Sequence, residues 1–493
     1  MQPSSQSFIL GPVEPPSVER KPRKGDRIVV SIDRLDSKGQ GVGNVDWPVY
    51  GKFPVVVRHA PPGSTLLVEV VRRRSSKVEA RRIEWLDKGP EFVEPLCKHF
   101  GTCGGCAFQN LKYERQLLEL QRLVTDILNN TQVLGDVQVE PVIGMEDPRW
   151  YRNKMDFTFG NRRWLEEGEE EGLDPDFAIG MHVPFRHDKV MDVKECYIAF
   201  PEAQHILNSA RRLAQEMELQ PWNLREHEGL LRYLVVRKGY HSGEILAYLV
   251  TSAEAAEEVD PYAQALVEAH PEITTLVQGI NKLPAGVAIG HEERILHGPG
   301  TIHESLGGVT FELSPRSFFQ TNTLQAERLV EVVREEVGSD GHKVVYDLYC
   351  GTGLLGLAVT PENGELIGFE REASSVVDAR ANAQRLGMGH ATFVEGDVLE
   401  RLAAGIEGRA KPDVVIVDPP RVGLHPKVLP GIAALAAPKL VYVSCSVKNA
   451  ARDIVELQAR GYKLDRVRPL DLFPHTPHVE VVLTMTLASP TAE

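Results

Sequence analysis

Cysteine is scarce in this chain: six thiols in 493 residues, at Cys97, Cys103, Cys106, Cys196, Cys350 and Cys445. So few in so long a chain argue against a disulfide scaffold. They fit a reducing, cytoplasmic setting, in which each thiol has to be explained by chemistry or packing. Long apolar runs are also missing. No segment approaches the roughly 18 uninterrupted apolar residues of a membrane span, so no membrane partner is expected. Met1 to Pro22 lacks the basic start and apolar stretch of a secretory signal; rich in Pro and Ser, it reads as a flexible tail. Positive charge is in deficit too, with 55 Lys and Arg against 69 Asp and Glu and a net charge of −14. Taken alone, that balance argues against a nucleic-acid partner.

The average hides an asymmetry. Between Arg20 and Lys88 stand 16 Lys and Arg against 8 Asp and Glu, a local balance of +8. Part of the opposing acid sits in one run, Glu166 to Asp176 (EEGEEEGLDPD), which reads as a solvated loop. A basic module joined to an acidic body suits a protein that grips a polyanion at one end. On its own, the triplet Arg72-Arg73-Arg74 reads equally well as a solvated strand edge.

The length predicts two to four domains. From Lys24 to about Asp87 the runs "DRIVVSIDRL", "SKGQGVGNVDWPVY" and "TLLVEVVRRRSSKVEARRIEWL" predict about five short strands, the content of a small OB-like barrel. A helix is predicted over Lys112 to Asn129. From about Val137 to Gly308 the signals are mixed, with strands such as "LRYLVVRKG" and "EILAYLVTS" and a helix in "EAQHILNSARRLAQEM", the pattern of an α+β domain. The last third differs. "VVYDLYC", "LIGFE", "ATFVEGD", "DVVIVDPP" and "KLVYVSCS" are short apolar runs ending in polar turns, the rhythm of a doubly wound parallel sheet. The expected architecture is therefore multidomain α/β: a tail (1–22), an OB-like domain (23–88), a central α+β domain (89–315) and a Rossmann-like domain (316–493). Segment 108–140 is expected to pack on the last of these.

In such a sheet ligands bind beyond the carboxyl ends of the strands. "VVYDLYCGTGLLGLAV" runs strand, Gly-x-Gly loop, helix, and Gly351 and Gly353 let the backbone approach a ligand where a Cβ would collide. Nicotinamide enzymes use similar loops, but this one lacks the third glycine of the dinucleotide spacing. An acid, Glu370, closes the next strand about 20 residues on, where a carboxylate accepts hydrogen bonds from ribose hydroxyls. Asp397, after the third strand, is placed for the adenine side. These features point to S-adenosylmethionine; the bland alternative is that both acids cap the following helices. Asp418, in the rigid turn Asp418-Pro419-Pro420-Arg421, reads as a capping acid or a site residue, and the Arg as a phosphate contact.

Cys445 directly follows an apolar strand in "LVYVSCSV", a position facing the ligand crevice. A small buried thiol is the plain alternative. Uracil C5 is a poor nucleophile at neutral pH; a thiolate adding to C6 makes the ring an enolate whose C5 attacks a sulfonium methyl. Such chemistry needs a soft nucleophile and a later base. Glu480, in "FPHTPHVEVV", is a carboxylate available as that base, while His475 and His478 in the same loop read as RNA contacts or packed residues.

In that order "DLYCGTG", "VDPPR", "YVSCS" and "DLFPHTPHVE", with "SFFQTN" and Cys97 upstream, resemble the bacterial RNA uracil-5-methyltransferases, in particular the iron-sulfur-containing 23S ribosomal RNA enzymes. The resemblance implies that Cys445 is the nucleophile and Glu480 the proton acceptor. It implies that Gln320, Tyr349, Glu370, Asp397 and Asp418 contact the cofactor. It also makes the OB-like domain one of the TRAM type, with ribosomal RNA as partner, no obligate protein partner and a monomeric state. Leu354, where relatives can carry a polar residue, departs from the pattern. RNA cytosine-5 enzymes place a second cysteine in the fourth-strand motif, which reads "VDPPRVG" here without one.

Cys97, Cys103 and Cys106 lie close together in "CKHFGTCGGC", and Cys196 follows about 90 residues later. Four thiolates suit zinc or an iron-sulfur cluster, and three close thiols with a distant fourth favour the cluster. The resemblance implies a [4Fe-4S] cluster on these four; Cys350 is expected to pack rather than react. Two other readings stay open: transfer-RNA uracil methylation, and a non-catalytic cluster-bearing RNA-binding protein, which leaves "SCS" and Glu480 without purpose.

Overall fold

Strand alternation builds the first sheet. In Arg27–Ser31 the side chains point alternately outward and inward, so Ile28 and Val30 enter a core shared with Trp47, Val55, Val57, Leu66, Val68 and Val70. The computed structural model describes residues 21–47, 51–166, 169, 174–284, 286–339, 343–405 and 408–488. The tail expected over 1–22, apart from Lys21 and Pro22, lies outside the described residues, as does much of the run Glu166 to Asp176. The chain divides into two compact units: Met1–Gly101 with Gly105–Glu119 and His475–Pro477, and Thr102–Gly104 with Leu120–Pro474 and His478–Glu493.

The first unit carries a six-stranded sheet in the order Arg27–Ser31, Thr65–Arg73, Val78–Asp87, Gly51–Val57, Gly41–Trp47, Arg34–Leu35. All pairs are antiparallel except Gly51–Val57 with Val78–Asp87. The strand content agrees with the reading of the sequence. The ladder, however, ends at Arg27–Ser31 on one side and Arg34–Leu35 on the other, so no closed ring of strands forms among the described residues. Arg72, Arg73 and Arg74 are exposed at the end of one strand.

The second unit holds two large sheets. An eight-stranded sheet runs Glu292–His297, Ile273–Ile280, Ile245–Thr251, Leu231–Lys238, Lys154–Gly160, Ala178–Val183, Arg186–Asp192, Arg163–Trp164. Its central strands are almost wholly buried, and the helices Pro201–Glu216 and Ala256–Ala269 bury an apolar stripe in the same core. The predicted strands "LRYLVVRKG" and "EILAYLVTS" are Leu231–Lys238 and Ile245–Thr251. A hairpin, Ile302–Leu306 with Val309–Leu313, follows.

The seven-stranded sheet has the order Ala391–Glu395, Glu365–Glu370, Val344–Leu348, Val414–Val417, Lys439–Ser444, Glu480–Leu487, Tyr462–Leu470. The first five strands pair in parallel; Glu480–Leu487 runs antiparallel to both its neighbours. Parallel strands covered on both faces are apolar throughout, and Val344–Leu348 and Val414–Val417 are buried at every residue. Strand order reverses between Val344–Leu348 and Val414–Val417, which opens a crevice at the carboxyl edge. The helix Thr323–Val337 begins at Asn322, whose side chain accepts from the Gln325 N–H at 3.2 Å. Val139 and Ile143 add parallel bridges to Val467 and Leu470. No helix among the described residues is long and apolar enough to cross a membrane.

Candidate active site

Each acid singled out in the sequence lies at the carboxyl edge of the seven-stranded sheet. Beyond Val344–Leu348 the chain turns sharply: Tyr349 has φ 67°, Gly351 54° and Gly353 83°. Left-handed backbone is cheap for glycine and costs a tyrosine about 1 kcal/mol or more, so the loop is held by its surroundings. The Tyr349 and Cys350 N–H groups donate to the Phe369 carbonyl at 2.9 and 3.1 Å. Nothing lies within 4 Å of where a Cβ would project from Gly351, so that side of the loop is open.

Glu370 braces the loop from the next strand. Its Oε2 accepts from the Gly351 N–H at 3.1 Å and its Oε1 from the Glu372 N–H at 2.8 Å. Asp397 caps the helix Val398–Ala403 by accepting from the Leu399 N–H at 2.9 Å, so the capping alternative describes this residue as the structure stands. Tyr349 is pushed up to about 12, by burial first and then by the negative charges of Asp397 and Asp453. Asp347 was not singled out in the sequence, because it lies mid-strand. It is buried, accepts from the Gly356 N–H at 2.8 Å, and burial raises its carboxyl to about 7.

Strand register brings together the two residues expected to react, Cys445 and Glu480. Ser444 stands opposite Val481 in the antiparallel ladder, which places Cys445 across from Glu480. Glu480 is 6% exposed, and its carboxyl is pushed well up, by burial first and then by Asp418, with Arg421 opposing. Burial likewise raises Asp418 at the end of the adjacent strand. Cys445 is half-buried; burial and the charges of Glu480 and Asp418 raise its thiol, and a hydrogen bond from Arg421 holds it back. Arg421 is fixed through its backbone: its carbonyl accepts from Asn449 Nδ2 at 2.7 Å, and Leu424 three residues on donates to Asp453 Oδ2 at 2.8 Å. Both holders lie on the helix Val447–Gln458, which begins two residues after Cys445. A cation on the sulfur and a helix start beside it both favour thiolate. A half-buried thiol close to a buried carboxyl, with one guanidinium acting on both, is equipped for nucleophilic addition followed by proton removal.

Residues 305–487 match the family model described as tRNA (uracil-5-)-methyltransferase. A Chlorobaculum tepidum protein named as an uncharacterized RNA methyltransferase is 36% identical over 93% of this chain and 96% of its own length. A Porphyromonas gingivalis protein of the same name is 36% identical over 92% of the chain and 99% of its length. The chain belongs to the RNA (uracil-5-)-methyltransferase family. The methyltransferase is also similar in fold to the Pyrococcus abyssi tRNA (uracil-54, C5)-methyltransferase in complex with S-adenosyl-L-homocysteine. That likeness has a TM-score of 0.72 at 26% identity and covers 93% of this chain and 100% of that one.

Gln320 lies in the loop Ser317–Asn322 of the methyltransferase, where Asn153 Nδ2 donates to its carbonyl at 3.0 Å. His475, in the loop before Glu480, is a packed residue. Its Nδ1 meets Gln116 Nε2 at 3.1 Å, and its carbonyl accepts from the Ala107 and Phe108 N–H groups at 2.7 and 3.3 Å. His478 is exposed. Cys350 is buried as expected, its thiol driven up by burial and by Asp347 and Glu370.

None of the remaining cysteines is joined in a disulfide. In the first unit Gln109 accepts from the Cys97 N–H at 3.2 Å and donates to Cys106 Sγ at 3.4 Å. In the second, Cys103 and Cys196 pack against the core of the eight-stranded sheet, and burial raises the Cys196 thiol. Among the described residues no group of three or more His, Cys, Asp or Glu side chains is placed to hold a metal ion.

Proposed function

We propose that this enzyme methylates carbon 5 of a specific uridine in 23S ribosomal RNA, with S-adenosylmethionine as the methyl donor. The observation that carries the chemistry is the register that sets Cys445 opposite Glu480, with Arg421 on the sulfur. Cys445 Sγ adds to uracil C6, and the electron pair of the C5–C6 bond moves to C5 and the O4 enolate. S-adenosylmethionine, when bound, supplies an electrophilic methyl group to that carbon. Glu480 then takes the C5 proton, the C5=C6 double bond reforms from that C–H electron pair, and the C6–S bond breaks to release the Cys445 thiolate. The target base has to leave its stack to reach the pair. Gln320, Tyr349, Glu370, Asp397 and Asp418 are the proposed cofactor contacts. The open face at Gly351 and the carboxylate of Glu370 behind it support that reading.

The basic sheet of residues 23–88 is proposed as a TRAM-type, OB-like RNA-binding domain. Residues 89–315 form the central domain and 316–493 the catalytic domain. Cys97, Cys103, Cys106 and Cys196 are the proposed ligands of a [4Fe-4S] cluster. Thiols not joined in disulfides, one already receiving an amide donor, suit such a centre. The enzyme is proposed to act as a cytoplasmic monomer. A second reading, methylation of transfer RNA, is favoured by the name of the matching family model and of the Pyrococcus abyssi relative.

Cys445→Ala is expected to abolish methylation while cofactor binding stays nearly intact; turnover in that variant sinks the mechanism. Glu480→Gln should trap a covalent RNA–protein adduct, seen as a slow band on a denaturing gel. Base-resolution mapping of 5-methyluridine in cells with and without the gene separates the two substrates. A missing mark in 23S RNA supports the first reading, and one lost from transfer RNA alone supports the second. Iron and sulfide analysis of anaerobically purified protein tests the cluster, and a colourless protein holding one zinc contradicts it.

A further inference from the structure

The loop that carries Gln320 has few ties of its own, and several of those that hold it come from the eight-stranded sheet. Asn153, 7% exposed at the edge of the strand Lys154–Gly160, donates from Nδ2 both to the Gln320 carbonyl at 3.0 Å and to Thr323 Oγ1 at 2.9 Å. Its backbone N–H donates to the Thr321 carbonyl at 2.8 Å, and its own carbonyl accepts from the Lys238 N–H at 2.8 Å. Arg237, next to Lys238 and 4% exposed, donates from Nη2 to the Ser317 carbonyl at 2.7 Å. The loop is thus gripped at Ser317, Gln320, Thr321 and Thr323 by two adjacent strands of the other sheet.

These contacts are costly for a role in packing alone. Arg237 is a cation taken almost wholly out of water, its Nη1 makes no hydrogen bond among the described residues, and burial lowers it to about 10. An apolar side chain of the same length fills such a site at no loss of stability, and often at a gain. What it cannot do is hold the Ser317 carbonyl. Asn153 is likewise specific, since one amide nitrogen spans a carbonyl and a hydroxyl on consecutive turns of the loop.

We infer that Asn153, seconded by Arg237, is a positioning residue for Gln320: the central sheet fixes the backbone from which Gln320 reaches the methyl donor. The inference rests on reading Gln320 as a cofactor contact. It gives the eight-stranded sheet a part in catalysis without touching a substrate. Freed of Asn153, the loop keeps its helix cap at Asn322 but loses the bonds that set the direction of the Gln320 side chain.

The test is a double-mutant cycle on the full-length enzyme, with KM for S-adenosylmethionine, KM for RNA and kcat measured separately alongside the melting temperature. Gln320→Ala and Asn153→Ala are each expected to raise KM for the methyl donor roughly tenfold, the loss of one or two well-set hydrogen bonds. KM for RNA should stay unchanged. The double variant should be no worse than Gln320→Ala by more than about twofold, because Asn153 acts through Gln320. Asn153→Asp keeps the shape, but its carboxylate repels the Gln320 carbonyl, so it should match or exceed the alanine effect. Arg237→Met should raise the same KM a few-fold with no fall in melting temperature. Multiplicative effects in the double variant overturn the inference while leaving Gln320 a cofactor contact. An unchanged KM in Gln320→Ala overturns the cofactor reading, and the inference with it. If kcat and the melting point fall and both KM values rise together in Asn153→Ala and Arg237→Met, the residues are structural and the inference fails.

Discussion

Cys350 and Cys445 occupy matching places in one sheet and have opposite prospects. Each follows the end of a parallel strand, and each is followed within four residues by the start of a helix. Around Cys350 there is burial and acid alone: Asp347 and Glu370 join the lost solvation in raising its thiol. Cys445 is also raised by burial and by acids, but it is half-open and the Arg421 guanidinium opposes the rise. A strand-end position therefore does not make a nucleophile. An opening and a cation do.

Exchanging the two thiols breaks or upholds that contrast with the largest effect. Cys445→Ala should cost at least about 10⁴-fold in methylation, the usual scale for a lost nucleophile. Cys350→Ala should leave turnover within a few-fold and cost roughly 1–2 kcal/mol of stability through its small cavity. Comparable losses of activity in both variants would end the distinction.

Arg421 offers the next test. Attack requires thiolate, and the Cys445 thiol is raised above its ordinary value, so methylation should climb with pH well past neutrality. Arg421→Ala removes a group that opposes the rise, so the climb should move to higher pH and neutral-pH activity should fall several-fold. A profile that keeps its midpoint while only KM for RNA rises would instead make Arg421 a phosphate contact.

Asp397 gives the smallest effect and separates two roles. Asn caps a helix as well as Asp, so Asp397→Asn should keep the melting temperature, whereas Asp397→Ala should lose about 1 kcal/mol. A carboxylate that also serves the cofactor reveals itself as a few-fold rise in KM in the Asn variant. If KM holds steady there, Asp397 is a cap and nothing more.

The contrast also marks what could be read from residues alone. Parallel strands buried on both faces are apolar without interruption, so the catalytic sheet announced itself, and acids just past those runs fell at its edge. The strand Val344–Leu348 concealed Asp347 for the same reason, since a buried mid-strand acid looks like an interruption rather than a ligand. Direction is not written in a hydrophobic run. Nothing in "VEVVLTMTL" shows that this strand enters from the opposite end, and that reversal brings Glu480 to the edge. Asn153 and Arg237 grip partners 167 and 80 positions away, a distance at which neither periodicity nor spacing carries a signal. About five strands of the first sheet were legible from their turns, and the two-residue strand Arg34–Leu35 was not; whether the ladder closes depends on curvature, which composition does not encode.

The reversed strand has one more implication. In a wholly parallel sheet, two neighbouring edge residues are joined by a helical crossover, and altering that crossover disturbs both. Here the proposed nucleophile and base stand just past the last pair of a directly paired ladder, Lys439 to Ser444 against Val481 to Thr486. The ladder behaves as a ruler, and the segment that leads into it is itself tied down, with the Asp471 N–H donating to the Ile143 carbonyl at 3.0 Å and the Leu472 carbonyl accepting from Asn322 Nδ2 at 2.9 Å. A slip of one place along the ruler would turn Glu480 to the far face and silence the enzyme in a single step.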